Sequence, residues 1–218
     1  MSVSGPDSRS NDKIESLRRE AASCRACPLW KNATQTLFGE GPPDAEIMLV
    51  GEQPGDREDI QGRPFVGPAG LLLDKALAEA GVDRGRVYVT NAVKHFKFEP
   101  RGKRRLHKRP NASEIKVCRR WLLDEIEAIG PRLIVALGAT AAQGLVGRAI
   151  PIQSNRGVVL DLANGLQVLV TIHPSALLRL QDEEDKRSGY ASFVNDLRSI
   201  ERLAKSPGKA QPSVGTAG

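Results

Sequence analysis

Short apolar runs alternating with amphipathic stretches constrain this 218-residue chain more than any other feature. Residues 45–50, 86–93, 132–137 and 167–172 are runs rich in Val, Ile and Leu, and several are bounded by Gly, Pro, Asn or Thr. Their length and continuous hydrophobicity predict strands buried on both faces. Residues 157–162 add a further candidate strand. Between these runs, helical periodicity covers about 12–23, 69–80, 113–129, 139–146 and 188–204. In the third stretch Ile115, Cys118, Trp121, Leu122 and Ile126 recur at helical spacing, and Ser113 is placed to cap its start. Strands alternating with helices predict a largely parallel central sheet with helices on both faces, a single-domain α/β/α sandwich spanning 12–204. Residues 1–11 and 205–218 are polar or small and lack periodicity, so both ends are expected to be disordered.

No run of 18 or more apolar residues occurs, and the first residues hold no apolar stretch of a secretory signal. A membrane protein is therefore excluded by pattern, and a cytoplasmic monomer is the expectation. The charge is uneven. The net charge is +6, from 32 Lys and Arg against 26 Asp and Glu, and residues 101–109 alone hold six Lys or Arg with no acid. Without those six the two signs balance. A basic segment so concentrated is a footprint for a polyanion, most simply nucleic acid. On composition alone it reads equally well as a solvated loop.

Parallel sheets bind ligands beyond the carboxyl ends of their strands. Four polar segments fall there: Gly51-Glu-Gln-Pro-Gly-Asp56, Thr90-Asn91-Ala-Val-Lys-His95, Gly138-Ala-Thr140 and His173-Pro-Ser175. Topology thus gathers Glu52, Asn91 and His173 at one rim, with the basic segment following the second strand. The cysteines form a separate group. Cys24-x-x-Cys27 ends the first helical stretch and Cys118 lies on another helix. Three thiolates leave a four-coordinate site one ligand short, and His95 is the best fourth among three histidines. Spacing does not distinguish zinc from an iron–sulfur cluster.

Gly51-Glu-Gln-Pro-Gly55, Gly62-Arg-Pro-Phe-Val-Gly-Pro-Ala-Gly70, Thr90-Asn91 and His173-Pro-Ser175, in this order, resemble the iron–sulfur uracil-DNA glycosylases of family four. The similarity runs from about Cys24 to Leu197. His95 stands where that family usually has Cys, and Gln53 where it usually has Ala. The chain also carries the insert Gly102-Lys-Arg-Arg-Leu-His107. These three departures resemble the X-type enzymes, UdgX, which end covalently attached to DNA through a loop histidine.

The resemblance implies a 4Fe–4S cluster held by Cys24, Cys27, His95 and Cys118, and uracil-containing DNA, single- or double-stranded, as partner. It implies that Phe65 stacks on an extruded uracil. Asn91 then reads the base edge, its amide matching uracil N3 and O4 where cytosine presents the opposite pattern. His173 is suited to stabilise charge developing at uracil O2, and Glu52 to favour a cationic sugar. Gln53 and Asp56 join the uracil-binding set as supports of the basic segment. Lys103, Arg104, Arg105, Lys108 and Arg109 are the candidate DNA contacts. His107 is the candidate nucleophile toward C1′, its neutral form favoured by Arg104, Arg105, Lys108 and Arg109 around it. The alternatives are a conventional multiple-turnover glycosylase and a non-catalytic cluster protein that senses DNA lesions. A zinc hydrolase is disfavoured, because three Cys and one His close the coordination shell.

Overall fold

The computed structural model describes residues 8–162 and 165–205. Five strands, β1 (Ile47–Gly51), β2 (Val87–Asn91), β5 (Leu133–Leu137), β6 (Val159–Asp161) and β7 (Gln167–Thr171), form one sheet in the order β2-β1-β5-β7-β6. All neighbours pair in parallel except the edge strand β6, which runs antiparallel to β7. The strands are buried on both faces because consecutive side chains go to opposite layers. Ile47, Leu49, Val87, Val89, Leu133 and Val135 pack against α3 (Pro68–Ala80) and α8 (Glu183–Lys205). Met48, Val50, Tyr88, Ile134 and Ala136 pack the other way, against α1 (Ser8–Ala22), α4 (Ala112–Ile129) and α5 (Ala139–Val146). The chain is an α/β/α sandwich, as its alternation predicts. Short helices α2 (Asp56–Gln61), α6 (Ile152–Asn155) and α7 (Pro174–Leu177) complete it. No described helix is long and apolar enough to cross a membrane.

Three sequence expectations change in detail. The first helix begins at Ser8, so residues 8–11 are helical where disorder was expected; a polar turn adds cheaply to a helix already nucleated by its amphipathic continuation. Lys205 likewise ends α8, while the rest of the two expected disordered ends, 1–7 and 206–218, lies outside the described residues. The cap of α4 is Asn111, not Ser113. Asn111 Oδ1 accepts from the Glu114 N–H at 2.9 Å and Glu114 accepts from the Asn111 N–H at 2.7 Å, a reciprocal pair that outcompetes a lone hydroxyl. Ser113 sits inside the helix and donates to Asn111 Oδ1 at 2.7 Å.

The basic segment is not an open loop. β3 (Phe98–Arg101) and β4 (Arg104–His107) pair antiparallel as a separate hairpin, with Phe98 opposite His107. The turn uses Gly102 at φ 57°, left-handed backbone that glycine adopts without strain. Because β1, β2, β5 and β7 are parallel, their carboxyl ends share one rim, and the hairpin stands beside it.

Candidate active site

A cavity of about 700 Å³ opens at that rim. Asn91 ends β2 in register with Gly51, which ends β1. Asn91 is 2% exposed, and its Nδ2 has no hydrogen-bond partner among the described residues. An orphaned buried donor is costly, about 1–3 kcal/mol, and is rare in folded proteins unless ordered water or a ligand satisfies it. Gly51 lets the site close around it. A Cβ there would lie 2.4 Å from Asn91 Oδ1 and 2.8 Å from Phe65 Cζ.

Phe65 has φ 57°, the sole positive value at a described residue other than glycine, a strain of order 1–3 kcal/mol. Two neighbours hold it. A Cβ at Gly70 would fall 1.6 Å from the Phe65 carbonyl oxygen, so only glycine lets α3 approach so closely. The buried carboxylate of Glu58 accepts the Gly55 N–H at 2.9 Å and takes further main-chain hydrogen bonds from Gly67 and Phe65. Burial pushes the Glu58 carboxyl above its usual range against the pull of those N–H groups.

His173 follows β7 and opens α7. Its Nδ1 accepts from the Ser175 N–H at 3.1 Å and lies 2.8 Å from Ser175 Oγ. A main-chain donor at Nδ1 assigns the proton of the neutral ring to Nε2. Burial first, then the charges of Arg179 and His107, push its pKa down to about 4. The ring stacks near Phe65, centroids 6.2 Å apart.

Across the cavity, Glu52 Oε1 lies 3.3 Å from His107 Nε2, and Glu52 Oε2 accepts from Thr140 Oγ1 at 2.7 Å. Arg109 Nε donates to the same Thr140 hydroxyl at 3.2 Å and stands 3.8 Å from Glu52. The pKa of His107 is lowered, so a neutral ring is favoured, but not by the cations adjacent in sequence. Burial is the largest cause, Glu52 opposes it, and Arg179 assists. The side chains of a hairpin diverge, and proximity along the chain did not translate into proximity in space.

The same divergence sorts the five candidate DNA contacts. Arg105 donates to Asp56 Oδ1 at 2.5 Å, to buried Asp59 Oδ2 at 2.7 Å and to the Asp56 carbonyl at 3.1 Å. Its guanidinium is committed to α2 rather than left for a phosphate. Lys108 pairs with Glu99 at 2.6 Å, and Arg109 faces Glu52. Lys103 and Arg104 are exposed and have no ion pair among the described residues. Gln53 clips the hairpin base: Nε2 donates to the carbonyls of Lys97 and Lys108, both at 3.1 Å, and Oε1 accepts from the Lys97 N–H at 3.1 Å.

The three cysteines are free and share one buried cluster with Trp121, Ile115 and Val93. Two nitrogens donate to sulfur: Trp121 Nε1 to Cys24 at 3.3 Å and the Lys94 N–H to Cys118 at 3.2 Å. Burial raises the Cys27 thiol and pushes Cys118 up to about 11. Buried thiols with N–H donors aimed at sulfur suit a cluster, whose metal ions would deprotonate them. Yet no three His, Cys, Asp or Glu side chains among the described residues are arranged to hold a single metal ion. His95 Nε2 lies 2.9 Å from Thr36 Oγ1.

Sequence reasoning passed over Arg179, Glu58 and Lys94. Arg179 lines the cavity and depresses both histidines. Its signal was a lone cation in the apolar run after His173. Glu58 was missed although its partners Gly55, Phe65 and Gly67 lie within nine residues, because which main-chain N–H groups turn toward one carboxylate is set by the folded loop; Lys94 was missed because the carboxylate that pairs with it, Glu125, is 31 residues away.

Comparison with known proteins bears on this rim. A model of the uracil DNA glycosylase superfamily matches residues 38–198. A type-4 uracil-DNA glycosylase of Thermotoga maritima is 43% identical over 175 residues, 80% of this chain and 88% of that protein. One of Archaeoglobus fulgidus is 36% identical over 211 residues, 93% of this chain and 98% of its own length. One of Pyrobaculum aerophilum is 38% identical over 173 residues, covering 76% and 85%.

Proposed function

The chain belongs to the uracil DNA glycosylase superfamily, and we propose that it excises uracil from DNA and then remains bound to the abasic site through His107. The observation that carries the excision is the unpartnered Asn91 Nδ2, buried in a cavity walled by Phe65 and His173. A planar ring seated on Phe65 offers that donor an acceptor. Asn91 Nδ2 gives its hydrogen to uracil O4 while Oδ1 accepts from N3–H; cytosine would set donor against donor. Inside a duplex the base edge is out of reach, so the nucleotide must be extruded or single-stranded.

Cleavage of the C1′–N1 bond sends the electron pair to uracil and leaves a cationic sugar. His173 answers the first charge: its Nε2–H is a neutral donor, and a pKa of about 4 keeps it so at working pH. Glu52, held by Thr140, answers the second. Neutral His107 lies beside Glu52 with a ring lone pair available. That lone pair forms the bond to C1′; the other ring nitrogen then loses its proton to solvent, and the uracil anion takes one up. An alkylated imidazole is a poor leaving group, so the adduct persists. The Gln53 and Arg105 clips, which fix the hairpin against the rim, support this reading over one in which His107 merely touches a phosphate.

Cys24, Cys27, His95 and Cys118 would hold the 4Fe–4S cluster that the family resemblance implies. When bound, it supplies a staple between the end of α1, α4 and the segment after β2. Lys103 and Arg104, exposed and without an ion pair among the described residues, are the cations of the hairpin best placed for the DNA backbone. Incubation with oligonucleotides bearing one uracil, or cytosine at the same position, tests the excision reading. Free uracil should be released from the uracil strand alone, and release of base from both strands, or from neither, would refute it.

A further inference from the structure

The side chain of Lys94 does not line the cavity described above, yet it is fully buried. Its ammonium has three hydrogens and three acceptors: Asn91 O at 2.7 Å, Thr90 Oγ1 at 2.8 Å and the carboxylate of Glu125. Glu125, on α4, is equally buried. It accepts from the Gly39 N–H at 2.7 Å, Tyr88 OH at 2.9 Å and Thr90 Oγ1 at 2.8 Å. Every member of the network is satisfied, and the network reaches three parts of the fold: the last residues of β2, the segment before β1, and α4.

A buried ion pair is weak evidence of stabilisation. Desolvation of both ions offsets their attraction, and apolar replacements of such pairs are often neutral or better. The contacts of Lys94 point instead to geometry. Two of its three acceptors belong to Thr90 and Asn91, the final residues of β2, where the strand leaves the sheet. Asn91 Nδ2 has no partner of its own among the described residues, so the aim of the amide depends on how its backbone is held. We infer that Lys94, locked in place by Glu125, is a positioning residue that aims the base-reading amide of Asn91 by holding its main-chain carbonyl. The inference rests on the uracil-reading role proposed above for Asn91. It also makes one residue the link between two regions, because the Lys94 N–H donates to Cys118 Sγ while its Nζ holds Asn91.

The test uses the full-length protein as purified and a variant that removes the charge pair but keeps the other bonds, Lys94→Met with Glu125→Gln. The new amide can still accept from Gly39 and Tyr88 and can donate to Thr90. Inhibition by free uracil is measured beside the single-turnover excision rate, the affinity for uracil-free DNA and the melting temperature. Loss of the carbonyl clamp should raise the uracil inhibition constant and lower the excision rate, each about five- to tenfold, the size of one hydrogen bond. DNA affinity and melting temperature should stay near native, which a merely structural role would not give. A folded double variant with native uracil inhibition and excision would overturn the inference, as would losses that track DNA affinity. Should the double variant not fold, Thr90→Val disturbs the same network without removing a charge. It should shift the uracil inhibition constant in the same direction, and a native constant would overturn the inference. Wild-type protein that neither excises nor binds uracil would instead defeat the functional reading beneath it.

Discussion

Gly51→Ala should separate the site from the fold. The methyl group would arrive 2.4 Å from Asn91 Oδ1 and 2.8 Å from Phe65 Cζ. An ordinary contact needs about 3.4 Å or more, so the Asn91 amide must retreat by about 1 Å, and a displacement of that size in a reacting complex costs on the order of 100-fold in rate. Both obstructing atoms are the ends of side chains facing a cavity, so the backbone of β1 need not move. Overpacking at such a place costs about 1–3 kcal/mol, or a drop of a few to about ten degrees in Tm for a chain of this size. The assay is single-turnover excision from a uracil-containing oligonucleotide, with Tm and affinity for uracil-free DNA in parallel. The expected outcome is an excision rate near 1% of native in a folded protein that binds DNA normally. Native excision by Gly51→Ala would show that Asn91 and Phe65 do not jointly form the base pocket.

Three further outcomes follow from the same geometry. His173 titrates near 4 in the folded state against an ordinary 6.5, so unfolding takes up a proton in that window; stability should be full above pH 6.5 and fall toward pH 4, and Tm should fall less steeply in His173→Gln. A pH-independent Tm in the native protein would contradict that. Arg104→Ala should reduce the salt slope of DNA binding by about one, whereas Arg105→Ala should leave the slope and lower Tm by stranding buried Asp59. Equal slopes lost by both would mean that Arg105 also reaches DNA. The purified protein should be brown with about four irons per chain and Cys118→Ala should lose them; a colourless, zinc-loaded native protein would contradict the cluster.

The sheet was legible because burial on both faces leaves a mark: Ile47–Val50 and Leu133–Leu137 carry no polar residue, and their shortness, β-branched content and polar or Gly flanks favour buried strands over buried helix. The rim followed from topology, since parallel strands must deliver Asn91 and His173 to one end. What escaped was non-local. Residues 101–109 look like a solvated loop in sequence, because the carboxylates that tie Arg105 down are 46 and 49 positions away, on α2. The reason for a neutral His107 was misplaced for the same cause: burial and Arg179 are properties of the folded cavity. Asn111 took the cap from Ser113 through a reciprocal bond that only the Glu114 side chain, three residues on, makes available.

The central claim is that His107 captures the sugar once the base has left. It is read directly on a denaturing gel of the protein mixed with a labelled oligonucleotide containing one uracil. The native protein should shift the label into a band that survives SDS and heat, with at most one excision per chain. His107→Ser should form no such band yet still release uracil, because Phe65, Asn91, His173 and Glu52 act before the nucleophile does. A native protein that turns over many times without the band, or a His107→Ser protein that forms it at the native rate, would contradict the account.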